Sequence, residues 1–176
     1  MSQRGSGYQR ADNDLYETPE WVTQVIVPYL PEDFIWEPAA GNGKMVNVLR
    51  RAGFIVLDTD ITHGVNFTLE TTSGDIRAIV TNPPYSIAAQ FVRKALELTK
   101  PHRGFVAMLL RTDFDNAKTR ADLFSNCPAF AKKIVLTRRI VWFERDGAAP
   151  SFNHAWYIWD WAHNSLPTIE YDIGKK

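Results

Sequence analysis

Phe34-Ile35-Trp36-Glu37-Pro38-Ala39-Ala40-Gly41-Asn42-Gly43 decides the fold of this 176-residue chain. Phe34 to Trp36 is a short apolar strand, and Gly41-Asn42-Gly43 is a turn. Met45 to Ala52 then reads as a helix stopped by Gly53, and Phe54 to Leu57 as a second strand. The alternation continues with a strand over Ala78 to Thr81, a helix over Ser86 to Lys100 and a strand over Phe105 to Leu110. A helix over Phe114 to Ser125, a strand over Ile134 to Leu136 and a final strand over Ala155 to Trp161 complete it. Strands alternating with helices predict an α/β fold whose parallel sheet is covered on both faces. Ahead of this, Thr18-Pro19-Glu20 marks a helix start, with Thr18 as N-cap and Pro19 at the first helical position. Trp21, Val22, Val25, Ile26 and Tyr29 follow at helical spacing, and Pro31 ends the run.

Length and composition fit one domain, with 45% hydrophobic and 23% charged residues. Residues 1–14 are polar and are expected to be a flexible tail, with a single domain over 15–176. Cys127 is the only cysteine, which excludes an intrachain disulfide and a CxxC zinc or redox motif. No apolar run reaches the ~18 residues of a membrane span, and the first residues carry no secretory signal. A soluble cytoplasmic protein is the expectation. The net charge is zero but unevenly spread: residues 93–145 hold 12 Lys/Arg against 5 Asp/Glu, whereas 1–92 hold 6 against 11. Such a segment suits either a basic face toward a polyanion or solvated charges scattered over several elements.

In open parallel sheets, ligands bind beyond the carboxyl ends of the strands. Glu37 and the glycine turn stand at such an end. Lys44 invites comparison with a phosphate loop, but Pro38 and Met45 break that spacing, and Val46 occupies the third glycine position of a dinucleotide fingerprint. Asp60 follows Gly41 by 19 positions and closes the second strand. A carboxylate there suits a ribose diol, and Ile61 beside it suits a flat ring. Asp58 serves instead if the strand ends earlier.

Asn82-Pro83-Pro84-Tyr85 is the sharpest signal. Two prolines deny helix and remove two backbone donors, so Asn82 and the Pro83 carbonyl are held in a stiff extended projection. Two acceptors beside an aromatic ring suit a planar amino group. With these residues the chain resembles the S-adenosylmethionine-dependent adenine-N6 DNA methyltransferases, in particular small phage-type members without a separate target-recognition domain. The resemblance runs from about residue 15 to 161. It rests on Asn82–Tyr85, on the acid-x-x-x-Gly-x-Gly loop Glu37–Gly43, and on a Tyr-x-Thr-Pro element at Tyr16-Glu17-Thr18-Pro19.

The resemblance implies a Rossmann-like methyltransferase fold: a mostly parallel seven-stranded sheet, helices on both faces and an antiparallel last strand. It implies S-adenosylmethionine as cofactor and S-adenosylhomocysteine as product. Asn82, Pro83, Pro84 and Tyr85 are the expected catalytic residues. Tyr16, Thr18, Pro19, Glu37, Ala39, Gly41, Gly43, Asp60, Ile61, Asn66, Phe67 and Asn82 are the expected cofactor contacts. Glu37 stands where the family often has Asp, and Asn66-Phe67 where it often has an acid followed by Phe. DNA is the expected partner, with the base flipped out for reaction and Tyr85 stacked on it. A bacterial or phage origin goes with that resemblance. RNA adenine and a protein glutamine amide are alternative substrates, and a non-catalytic nucleic-acid-binding relative is a further alternative.

Arg138, Arg139, Trp142 and Arg145 lie in a long connection over 138–153, where arginines suit phosphates or guanine edges and Trp142 suits stacking. The competing reading has Ile140, Val141, Trp142 and Phe143 capping the sheet. Lys132 and Lys133 read as plain surface charge. No membrane partner and no metal are expected, because His63, His102, His154 and His163 are scattered along the chain.

Overall fold

The computed structural model describes residues 16–31, 33–71, 74–142 and 152–172. Among these, short runs of β-branched and aromatic residues form seven strands. They are β1 (Phe34–Glu37), β2 (Ile55–Asp58), β3 (Ala78–Thr81), β4 (Phe105–Arg111), β5 (Phe130–Leu136), β6 (His154–Asp160) and β7 (Thr168–Asp172). Their order in one sheet is β2-β1-β3-β4-β6-β5-β7. β6 runs against both of its neighbours, while the other pairings are parallel. The expected final strand is β6, antiparallel as the resemblance implies, and β7 follows it beside β5.

Among the described residues three α-helices cover the sheet: α1 (Glu20–Ile26), α2 (Lys44–Arg51) and α3 (Ala88–Thr99). Val22 and Ile26 of α1 and Met45, Val46 and Leu49 of α2 pack on one face with Ile35, Val80 and Leu109. Phe91, Val92 and Leu96 of α3 pack on the other with Trp36, Ile79 and Met108. Strand alternation sends Trp156 to the first face and Trp159 to the second. Each buried indole finds a backbone acceptor, Trp156 donating to the Val22 carbonyl (2.9 Å) and Trp159 to that of Leu123 (2.6 Å).

Two local expectations are corrected. Thr18 does not cap α1: Pro19 takes that place, and its carbonyl accepts from the amides of Val22 and Thr23. The stretch expected as a helix over Phe114 to Ser125 forms two 3₁₀ segments instead, Phe114–Asn116 and Lys118–Leu123. Ala117 between them is extended (φ −106°, ψ 128°). Asp113 and Asp115 are also drawn away, to Arg111 and Lys133.

β1 pairs with β2 on one side and β3 on the other, so the strand order reverses at β1. Connections leaving β1 and β3 diverge there and open a crevice at their carboxyl ends. The tail over 1–14, Phe143, Arg145 and most of the connection over 138–153 lie outside the described residues.

Candidate active site

A cavity of about 430 Å³ fills that crevice, within the range of small-molecule pockets. Of the expected cofactor contacts, Tyr16, Thr18, Glu37, Ala39, Gly41, Asp60, Ile61, Asn66, Phe67 and Asn82 line it, and Pro19 and Gly43 do not. Gly43 serves the backbone instead: at φ 82° it precedes α2 in the left-handed region that disfavours other residues. Pro84 also lines the cavity, but Pro83 and Tyr85 lie outside its lining.

Glu37 ends β1 and is 1% exposed. Its Oε1 accepts from the Ala39 amide (3.0 Å) and from the Thr81 hydroxyl (2.5 Å). Its Oε2 is buried with no hydrogen-bond partner among the described residues. Burial pushes the carboxyl up to about 8; the bonds from Thr81 and Ala39 pull it down, and the Asp60 and Asp58 charges push it further up. In the free protein at neutral pH the proton therefore sits on Oε2, since Oε1 already accepts twice.

Asp60 ties the two loops at the crevice together. Its Oδ2 accepts from the Gly41 amide (2.9 Å), and its Oδ1 from the Thr62 amide (2.9 Å) and hydroxyl (2.7 Å). Burial opposes ionisation, but these donors outweigh it and hold the carboxyl below its ordinary value. Asp58 is spent on an ion pair with Arg50 (2.5 Å) and does not line the cavity, so of these two aspartates Asp60 is the one at the crevice. Asn66 uses its side-chain oxygen on the Thr68 amide and hydroxyl (3.2 and 2.8 Å). Phe67 is packed edge-on against Trp36 (5.1 Å) and tilted against Phe91 (4.8 Å), so it forms a fixed wall.

Asn82 follows β3. Its Nδ2 donates to the Tyr16 carbonyl (3.1 Å), which fixes the amide's orientation because a carbonyl only accepts. Its Oδ1 is buried without a partner among the described residues. The Tyr16–Pro19 segment is thus strapped across the crevice, held also by Glu17 pairing with Lys44 (3.1 Å).

Beside Asn82 stands an aromatic cluster. Tyr85 lies 5.6 Å from Tyr16, Tyr16 lies 5.4 Å from Trp142, and Trp142 meets His154 edge-on at 5.3 Å. The Tyr85 hydroxyl and His154 Nε2 are hydrogen-bonded at 2.9 Å. Burial drives His154 down to about 4, so the ring is neutral near pH 7; its bond to the Phe152 backbone offsets burial only in part. The ring's tautomer sets which of the two donates.

Trp142 is 8% exposed. It packs on Tyr16 and His154 beside the crevice. Arg138 lies over the Trp21 ring (3.9 Å), and Arg139 donates to Asn153 (3.0 Å); both are exposed, just past the carboxyl end of β5. Of the twelve Lys/Arg of residues 93–145, five form ion pairs among the described residues, including Arg93 with Asp122, Lys94 with Glu97 and Arg111 with Asp113; four of the five use acids of the same segment, so its positive excess remains. Lys132 and Lys133, expected as surface charge, pair with Glu170 and Asp115 and lie over Tyr29 and Tyr157.

Thr81 and His154 are the functional candidates not singled out by sequence. Each had a signal, as a polar residue ending or opening an otherwise apolar strand. Among the described residues, no group of three or more His, Cys, Asp or Glu could hold a metal, and no helix is long and apolar enough to cross a membrane.

A mostly parallel sheet with one reversed strand, and a crevice at the carboxyl ends of β1 and β3, is the class I methyltransferase fold. The chain is similar to a type I restriction-modification system methyltransferase subunit from Streptococcus thermophilus, with a TM-score of 0.69 and 14% identity over 91% of this chain. It spans about half of that subunit, 49% of its length. It is also similar to a Listeria monocytogenes protein assigned to the class I S-adenosylmethionine-dependent methyltransferases (TM-score 0.65, 10% identity, 94% of this chain and 68% of that one). A Pyrococcus horikoshii protein assigned as an RNA methyltransferase matches with a TM-score of 0.58 and 12% identity, over 84% of this chain and 87% of that one. At such identities the fold is what they share. No family model and no curated protein matches the sequence.

Proposed function

We propose that the chain transfers a methyl group from S-adenosylmethionine to the exocyclic N6 amine of adenine in DNA. The observation that carries this reading is a pair of buried side-chain oxygens without partners among the described residues, Glu37 Oε2 and Asn82 Oδ1, on one cavity. Orphaned buried polar atoms are costly and ask for a partner from outside the chain.

The cavity suits the cofactor. Glu37 Oε2 matches the α-ammonium of a methionine moiety. Asp60 and the Gly41 turn would hold the ribose, and Ile61 and Phe67 would flank the adenine. Bound S-adenosylmethionine supplies an activated methyl carbon. Asn82 Oδ1 and the Pro83 carbonyl accept the two hydrogens of the target amine and favour a pyramidal nitrogen whose lone pair is available. Placement and electrostatics of this kind carry the rate. Tyr85, braced by His154, offers its ring to the base.

The test is incubation with labelled S-adenosylmethionine and, separately, double-stranded DNA, single-stranded DNA and total RNA, with nucleosides resolved by mass. N6-methyldeoxyadenosine from DNA is expected. Transfer to RNA alone would keep the chemistry and replace the substrate. Cofactor binding without transfer to any of the three would point to a protein amide. The exposed arginines carry a second test. Arg139→Ala is expected to weaken DNA binding and to flatten its log–log salt slope by ~0.9 for each phosphate no longer neutralised. An unaltered slope would place the phosphate-binding cations elsewhere on the surface.

A further inference from the structure

β3 is buried along its whole length and apolar except at its last residue. Thr81 is fully buried, and valine has nearly its shape and a comparable strand preference. A hydroxyl in a dry position is unfavourable unless it is bonded. That of Thr81 is bonded across the sheet, to Glu37 Oε1 at 2.5 Å. The Ala39 amide meets the same oxygen at 3.0 Å. Two donors on Oε1 fix the rotation of the carboxyl group and leave Oε2 as its one oxygen without a partner among the described residues, open as an acceptor once the group ionises. The next residue, Asn82, presents the other open acceptor of the cavity. Consecutive residues thus govern both: Asn82 through its own oxygen, and Thr81 through the oxygen of another residue.

We infer that Thr81 is a positioning residue that turns Glu37 into a single-acceptor receptor for the primary ammonium of an amino-acid-bearing ligand. This rests on the methyltransferase reading above. Its consequence is selectivity within the ligand. A ligand carrying the α-ammonium draws on the fixed Oε2, whereas a nucleoside thioether lacking the amino-acid part does not. Losing the Thr81 bond would let the carboxyl group rotate and would remove one of the donors favouring its ionised form. Only the ammonium-bearing ligand would register that change.

Calorimetric titration of the full chain with S-adenosylhomocysteine and with 5′-methylthioadenosine separates the possibilities. Thr81→Val is expected to lose about tenfold or more in affinity for S-adenosylhomocysteine, the scale of a hydrogen bond to a charged group. Its affinity for 5′-methylthioadenosine is expected to stay within about threefold of the unsubstituted protein, a spread small beside such a bond. Thr81→Ser keeps the hydroxyl and is expected to restore S-adenosylhomocysteine binding. Equal losses for both ligands, or a serine variant no better than valine, would overturn the role of Thr81. If Thr81→Val does not fold, Thr81→Cys offers a weak thiol donor of similar size. It is then expected to show the same selective loss, smaller in extent, and wild-type affinity for both ligands would overturn the proposal. Failure of the unsubstituted protein to bind either ligand would instead overturn the methyltransferase reading.

Discussion

Replacing Asn82 by alanine is expected to cut turnover about 10²-fold or more while leaving most of the affinity for S-adenosylmethionine. The two ends of this side chain do different things. Oδ1 is a buried acceptor without a partner among the described residues, and in the proposed reaction its donor comes with the substrate, so its loss falls on the reacting amine. Nδ2 holds the Tyr16 carbonyl at 3.1 Å and with it the strap across the cavity. Losing one neutral hydrogen bond of ~1 kcal/mol predicts about a fivefold weakening of cofactor binding. The fold itself is expected to tolerate the change within about 1 kcal/mol, because an unsatisfied buried acceptor disappears together with the broken bond. Single-turnover rates, cofactor affinity and thermal unfolding measured on the same variant distinguish these effects. Unchanged turnover would remove Asn82 from the chemistry. A collapse of cofactor binding as large as the loss in rate would make it a brace for the strap alone.

The parts of the fold visible in the sequence are those whose burial is one-sided or complete. β4 is an unbroken apolar run because both faces of the sheet are covered there, and α2 shows its buried stripe between a glycine turn and Gly53. β7 was not legible for the opposite reason. Its apolar residues Ile169 and Tyr171 point outward, at 64% and 63% exposure. Its inward Glu170 is held by Lys132 and by the Tyr29 hydroxyl (2.7 Å). Hydrophobic alternation finds strands through what they bury, and β7 is fixed by its ladder with β5 and by a polar cluster. The 3₁₀ segments after β4 were equally hidden, since the competitors for Asp113 and Asp115 are basic residues on β4 and β5.

The site was legible wherever it is contiguous in sequence. Asn82–Tyr85 and Glu37–Gly43 are each one strand end with its following turn, and spacing alone brings them to notice. Contacts between strand ends were not. Thr81 meets Glu37 across 44 positions and Tyr85 meets His154 across 69. No short-range pattern encodes such pairings. Trp142 shows that a position in the sequence announces a place and not its partners. It does stand beside Tyr16 and close to the crevice, but its ring closes the wall of the core.

Glu37 should make both stability and ligand binding depend on pH, and Glu37→Gln should remove both dependences. Its carboxyl rises from the ordinary 4.5 to about 8 on folding, chiefly because burial disfavours the charge. Between those values the folded, ligand-free protein holds a proton that the unfolded chain has released. Stability is therefore full below pH 4.5, falls as pH rises toward 8, and is level above it with respect to this group. The total is on the order of 5 kcal/mol for the shift from 4.5 to about 8. Glutamine keeps an oxygen for Ala39 and Thr81 and carries no charge, so its unfolding midpoint should lack that decline between pH 4.5 and 8. An ammonium ligand reverses the balance by favouring the ionised carboxylate. At pH 7 binding of S-adenosylhomocysteine is then expected to release close to one proton. Calorimetry in two buffers of different ionisation enthalpy reads that proton directly. The glutamine variant should release none and bind roughly 10- to 100-fold more weakly, as expected when a charge-assisted hydrogen bond is removed. Equal proton release from both proteins would assign the titration to another group and leave Glu37 as packing at the end of β1.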